Sequence, residues 1–166
     1  IASVDLIGGG SGCYIRATEE GGYILTNYNV VQDGDVITLG KISIRCVATP
    51  GHTPGTMSFF FDVTEKDGKT YTVGTYGGAG VNSVKKDFLD RYGLPYSYRE
   101  DFVNSLNKVR NEKVDIFIGN HVWNNDTENK GKLLLATGEN KFIDSGLWNK
   151  FLDFCEKRLY ETIEKD

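Results

Sequence analysis

Residues 49–55 read Thr49-Pro50-Gly51-His52-Thr53-Pro54-Gly55, and the rest of the chain is best understood outward from them. Each proline locks its own φ and lacks an amide donor, whereas each glycine reaches backbone conformations closed to other residues. Such a loop is stiff and holds the His52 imidazole in one place. Before it, Ile42, Ile44, Cys46 and Ala48 alternate along a β-branched run, which predicts a strand with one apolar face. After it comes the apolar run Thr56 to Phe61. His52 therefore sits in a loop between two strands, where side chains converge on ligands, and neutral imidazole is the commonest zinc ligand.

The neighbouring segments extend this pattern. Val36-Ile37-Thr38-Leu39 pairs with the strand at 42–48 through Gly40-Lys41, a dipeptide suited to a type II′ turn. Phe59-Phe60-Phe61 and Tyr71-Thr72-Val73 flank Lys66-Asp67-Gly68-Lys69, a second hairpin with a tight Asp-Gly turn. The first half is thus mostly antiparallel sheet. From residue 83 the period becomes helical: Val84 and Phe88 are four apart, and Phe102, Leu106 and Val109 mark a helix running to about Asn111. Ser97-Tyr98-Arg99-Glu100 fits a capping box at its start.

Asp115-Ile116-Phe117-Ile118 reads as a short buried strand that Gly119-Asn120-His121 ends in a sharp turn. Asp144 or Ser145 caps a last helix with Leu147, Phe151, Phe154, Cys155 and Leu159 at helical spacing. Upstream, Gly8-Gly9-Gly10 and Gly21-Gly22 read as loops. The run Gly8 to Gly12 has no Lys-Ser/Thr of a phosphate-binding loop, so turn chemistry explains it better.

His52 and His121 are the two histidines of the chain, and both follow an apolar strand. Position alone favours an ordinary loop histidine over a metal ligand at either residue; the stiff loop changes that for His52. Asp126 and Glu128 could offer oxygen ligands, but 124–130 reads first as a solvated loop. Cys46 reads as core, Tyr76 as a packing residue that could line a pocket, and Trp123 and Trp148 as packing residues. Cys13, Cys46 and Cys155 form no C-x-x-C pair and signal neither a disulfide framework nor a thiolate metal site.

Composition bounds the partners. With 39% hydrophobic and 25% charged residues, the 166-residue chain is suited to one globular domain. Its formal charge of −4 gives no electrostatic case for nucleic acid or anionic lipid, which leaves small molecules or proteins as partners. No apolar run reaches the ~20 residues of a membrane-spanning helix. The chain opens at Ile1 rather than methionine, and the expectation is that upstream sequence is missing. The compartment is not legible.

The heptapeptide around His52, preceded by Val31-Gln32-Asp33-Gly34-Asp35 and its hairpin and followed by Asp115-Ile116-Phe117-Ile118-Gly119-Asn120-His121, resembles the metallo-β-lactamase superfamily. Ile143-Asp144 and the helix around Trp148 and Phe151 resemble that family's closing segment, so the likeness covers essentially the whole chain. It implies an α/β fold, the C-terminal half of the αββα sandwich, with residues 1–166 forming a single partial domain whose N-terminal half is absent. It also implies that His52 and His121 are zinc ligands, with a small-molecule substrate for the intact parent. Thr72-Val73-Gly74-Thr75-Tyr76 carries neither the bridging Asp nor the Cys ligand found at this strand end in some branches. The chain is therefore most similar to the lactamases that use His and Asp but no Cys.

The His-x-His-x-Asp-His motif, which supplies four of the family's six ligands, has no counterpart here; Ile1-Ala2-Ser3-Val4-Asp5-Leu6 resembles the segment after it. Hydrolysis of an amide or ester by zinc-activated water is accordingly expected of the intact protein, with no catalytic residue assigned in this chain, weak or absent zinc and no activity in isolation. An inner sheet face deprived of its partner is expected to expose apolar side chains and to favour a homo-oligomer. The competing expectation is a non-catalytic binding or structural module that kept the scaffold and self-associates.

Overall fold

The computed structural model describes residues 31–166 and, upstream, the backbone of two strands. These are β1 (Cys13–Thr18) and β2 (Gly21–Leu25), an antiparallel pair. Gly21 and Gly22, expected in a loop, instead open β2 opposite Thr18 and Ala17. The expectations for residues 1–6 and 8–12 lie outside the described residues.

A five-stranded sheet runs in the order β3 (Val36–Leu39), β4 (Ile42–Ala48), β5 (Met57–Thr64), β6 (Thr70–Thr75) and β7 (Ile116–Ile118). The first four strands are antiparallel neighbours in chain order, while β7 returns parallel to β6. In the β3–β4 turn Gly40 has φ +59° and Lys41 does not share the positive sign, which agrees with type II′ rather than I′. The second hairpin places Gly68 at φ +86° in a wider loop closed by the Glu65 amide donating to the Lys69 carbonyl.

Alternation along the strands divides the described core in two. On one face Val47, Phe60, Tyr76 and Phe117 pack with Phe102, Leu106 and Val109 of α2 (Tyr98–Val109) and with Trp148, Phe151, Leu152, Cys155 and Leu159 of α4 (Leu147–Ile163). Trp148 is the keystone: its indole N–H donates to the Val109 carbonyl at 2.9 Å while Phe60 and Phe117 meet its ring edge-on. On the other face Ile44, Cys46, Met57 and Phe59 cluster with Val31. The open apolar face expected there is not found at these positions, since Met57 is 3% and Phe59 9% exposed.

Several local expectations are corrected. Val84 and Phe88 do not share a helix: Val84 ends a 3₁₀ turn (Asn82–Val84), Lys85 is extended at ψ 147°, and α1 (Lys86–Tyr92) buries Leu89. Ser97 does occupy the N-cap of α2, but its side chain makes no cap bond because its backbone is already helical. Carbonyls of Pro95 and Tyr96 take the amides of Tyr98 and Arg99 instead. Gly146, not Asp144 or Ser145, is the N-cap of α4; Asp144 accepts the Gly146 amide at 2.9 Å. Phe154 faces water, as does Ile118 of the supposedly buried β7.

The supposed loop after Asn124 contains α3 (Thr127–Thr137). It escapes a periodicity argument because Leu133-Leu134-Leu135 are consecutive, Gly131, a weak helix former, lies inside it, and none of its residues is buried.

Candidate metal-binding edge of the sheet

Strand register brings the two histidine loops to one end of the sheet. Phe59 pairs with Thr75 and Thr75 with Ile118, so the start of β5 and the ends of β6 and β7 lie side by side. Residues 50–55 leave that end between β4 and β5, residues 76–81 after β6, and residues 119–126 after β7. His52 belongs to the first loop and His121 to the third.

The His52 loop is held from several directions. The Thr49 amide donates to the Thr56 carbonyl at 2.9 Å, closing its base. Ser105 of α2 donates to the Pro50 carbonyl at 2.6 Å, and Ser83 donates to the carbonyl of His52 itself at 2.5 Å. Gly78 and Gly80 line the imidazole so closely that a β-carbon on either would lie 2.5 Å and 3.0 Å from ring atoms. Nδ1 of His52 stands 2.8 Å from the Gly80 carbonyl oxygen. A carbonyl can only accept, so this contact places the ring proton on Nδ1 and leaves the lone pair on Nε2.

His121 is exposed and its ring lies flat on Trp123, with centroids 4.4 Å apart and planes 8° from parallel. Its amide donates to Asn124 Oδ1 at 2.9 Å. Trp123, read from sequence as packing, is 73% exposed; Trp148 does pack, and Cys46 and Tyr76 are core. Burial raises the pKa of the Cys46 thiol and of the Tyr76 hydroxyl, so neither is prepared to lose a proton. Asp126 and Glu128 are exposed, and Glu128 pairs with Lys132 on its own helix.

One side chain that sequence reasoning treated as turn chemistry joins the loops. Asn120 donates its amide to the carbonyl of Tyr76 at 2.7 Å and to that of Gly77, while its Oδ1 is 3.4 Å from the Thr75 hydroxyl. The Gly77 amide in turn donates to Ser58 Oγ at 3.2 Å, and Ser58 exchanges a 2.8 Å hydrogen bond with Thr49. No sequence signal would have found these bonds, because they span strands distant in the chain.

In donor chemistry the edge suits zinc, since an imidazole anchored through Nδ1 presents Nε2 to a metal. In donor number it falls short: among the described residues no group of three or more His, Cys, Asp and Glu side chains gathers. His52 presents an oriented Nε2 and His121 an exposed ring, and the described residues do not complete a centre around them.

The sheet, its helical layer and this edge define an α/β chain of the metallo-β-lactamase fold. A subclass B3 metallo-β-lactamase of Bradyrhizobium japonicum superposes at a TM-score of 0.70 with 23% identity, over 81% of this chain and 50% of that one. The native metallo-β-lactamase from Legionella gormanii gives 0.71 with 28% identity, over 80% and 50%. The Cronobacter sakazakii metallo-β-lactamase with a HARLDQ motif gives 0.65 with 22% identity, over 81% and 51%. The chain thus spans about half the length of the solved structures it matches. No protein-family model and no curated protein matches the sequence. Among the described residues no helix is long and apolar enough to cross a membrane.

Proposed function

We propose that residues 1–166 form one partial domain, the C-terminal half of a zinc-dependent hydrolase of the metallo-β-lactamase type, and that His52 and His121 are its zinc ligands. The observation that carries this reading is the convergence of both histidine loops on one sheet end, with His52 anchored through Nδ1. Zinc, when bound, acidifies water to a pKa of about 7 and so supplies a nucleophile for a carbonyl carbon at neutral pH. The chain's own contribution is to orient one imidazole rigidly and to hold the second at the neighbouring loop. The proposed substrates are small molecules with an amide or ester bond, β-lactams first among them.

A catalytic zinc keeps about three protein ligands, so two imidazoles leave the isolated chain without hydrolytic activity. Native mass spectrometry with and without a chelator tests this. The expected spectrum shows little zinc on the chain, and any that is retained disappears in His52→Ala. Zinc retained equally by His52→Ala and His121→Ala would remove both from the ligand set, and metal-dependent turnover matching an intact relative would overturn the inactivity of the half-domain.

A second reading, a non-catalytic module that associates with another copy of itself, draws on a different observation. Ile118, Val122 and Trp123 are exposed near the end of β7, and Leu135 of α3 is 90% exposed. Light scattering on the purified chain decides it: a dimer that Trp123→Ser converts to monomer supports the module, and a monodisperse monomer ends it.

A further inference from the structure

We infer that Asn120 is a positioning residue that sets the placement of the His52 loop relative to the His121 loop, acting through the Gly77 peptide; this rests on the proposed roles of the two histidines. Gly77-Gly78-Ala79-Gly80 has three glycines in four residues, the composition that loses most conformational freedom on ordering. Something must hold it, because Gly78 and Gly80 form the wall against the His52 ring and Gly80 supplies the acceptor for Nδ1.

The backbone of Gly77 is gripped at both of its polar groups, its N–H by Ser58 and its C=O by Asn120. A side chain at position 77 would run into the Met57 carbonyl, so the peptide lies flush against the start of β5. Asn120 directly precedes His121 and also holds the Tyr76 carbonyl. It therefore ties the backbone that carries one histidine to the glycine run that orients the other, through bonds to backbone carbonyls rather than to either ring. Outer-shell groups of this kind fix ring orientation and tautomer at metal sites.

The test reads the two imidazoles of the metal-free full chain by long-range proton–nitrogen correlation, with His121→Gln assigning the signals. The expected native pattern for His52 is a single Nδ1–H tautomer. In Asn120→Ala, and in Asn120→Asp where the donor becomes an acceptor, the His52 pattern moves to the averaged mixture of an unanchored imidazole. Asn125→Ala, which removes a different bond of the same loop, to the Phe117 carbonyl at 2.8 Å, leaves His52 unchanged. Should Asn120→Ala not fold, Ser58→Ala releases the other side of Gly77 and carries the same expectation.

A His52 pattern identical in native protein and Asn120→Ala, or moved as far by Asn125→Ala, overturns the inference. Added zinc separates it from the functional reading. Zinc that binds the native chain without moving either histidine signal removes both histidines from the ligand set while the tautomer result stands; zinc that moves them binds about 10-fold more weakly to Asn120→Ala.

Discussion

A β-carbon placed on Gly51 would lie 2.6 Å from the Cα of Phe102, and Gly51 has φ +143°. The His52 loop therefore lies against the backbone of α2 at a point where only glycine fits. Gly51→Ala combines a left-handed backbone with a backbone clash. It is expected to cost about 1–3 kcal/mol or more, read as a lower urea midpoint, with a weakened Ser105 bond to Pro50 beside it.

The two tryptophans have opposite roles. Trp148 is 1% exposed, wedged among Phe60, Phe117 and Tyr76, so Trp148→Ala is expected to cost about 3–5 kcal/mol in denaturant unfolding. Trp123, 73% exposed, lies on His121 and little else, so Trp123→Ala should change stability by no more than about 0.5 kcal/mol. Equal losses for the two would contradict the described packing.

Asp33 connects the start of the sheet to α2. The hydrogen bond from Lys108, then that from the Ala48 amide, holds its carboxyl pKa below the usual value. A folded pKa below the unfolded value of about 3.9 means stabilisation that is present above that value and lost as pH falls through the folded pKa. Because both partners are about half exposed, the gain is screened and amounts to no more than about 1 kcal/mol. Asp33→Asn should lower the urea midpoint at pH 7, with a deficit that shrinks as pH falls below the ordinary carboxylate range; a deficit constant across the acid range would rule out the ion pair as its source.

Thiol chemistry provides an independent check on the core. Burial pushes the Cys155 thiol up to about 12 and raises that of Cys46, while both side chains are almost fully enclosed. In a Cys13→Ser variant, neither remaining thiol should react with a maleimide at pH 7 in native protein, and both should react in urea. Rapid native labelling of Cys46 would show that its face of the sheet opens.

Local chemistry in the sequence determined much of this protein. Gly40-Lys41 specified its hairpin turn, alternation put Ile44 and Cys46 on one face, and helical spacing placed Phe151, Cys155 and Leu159 in the core. The heptapeptide around His52 announced a rigid loop because prolines and glycines restrict or release φ without reference to the rest of the chain. Tertiary structure decided what depends on neighbours distant in sequence. Lys85 breaks the apparent helix from Val84 to Phe88, and α3 forms with no buried stripe to advertise it. Trp123 faces water while Trp148 is enclosed, although both are apolar aromatics in the sequence. Above all, the bonds from Asn120 to Tyr76 and Gly77 exist because β7 returns parallel beside β6, and a hydrogen bond between strand ends is set by which strands are adjacent, a property no single segment encodes.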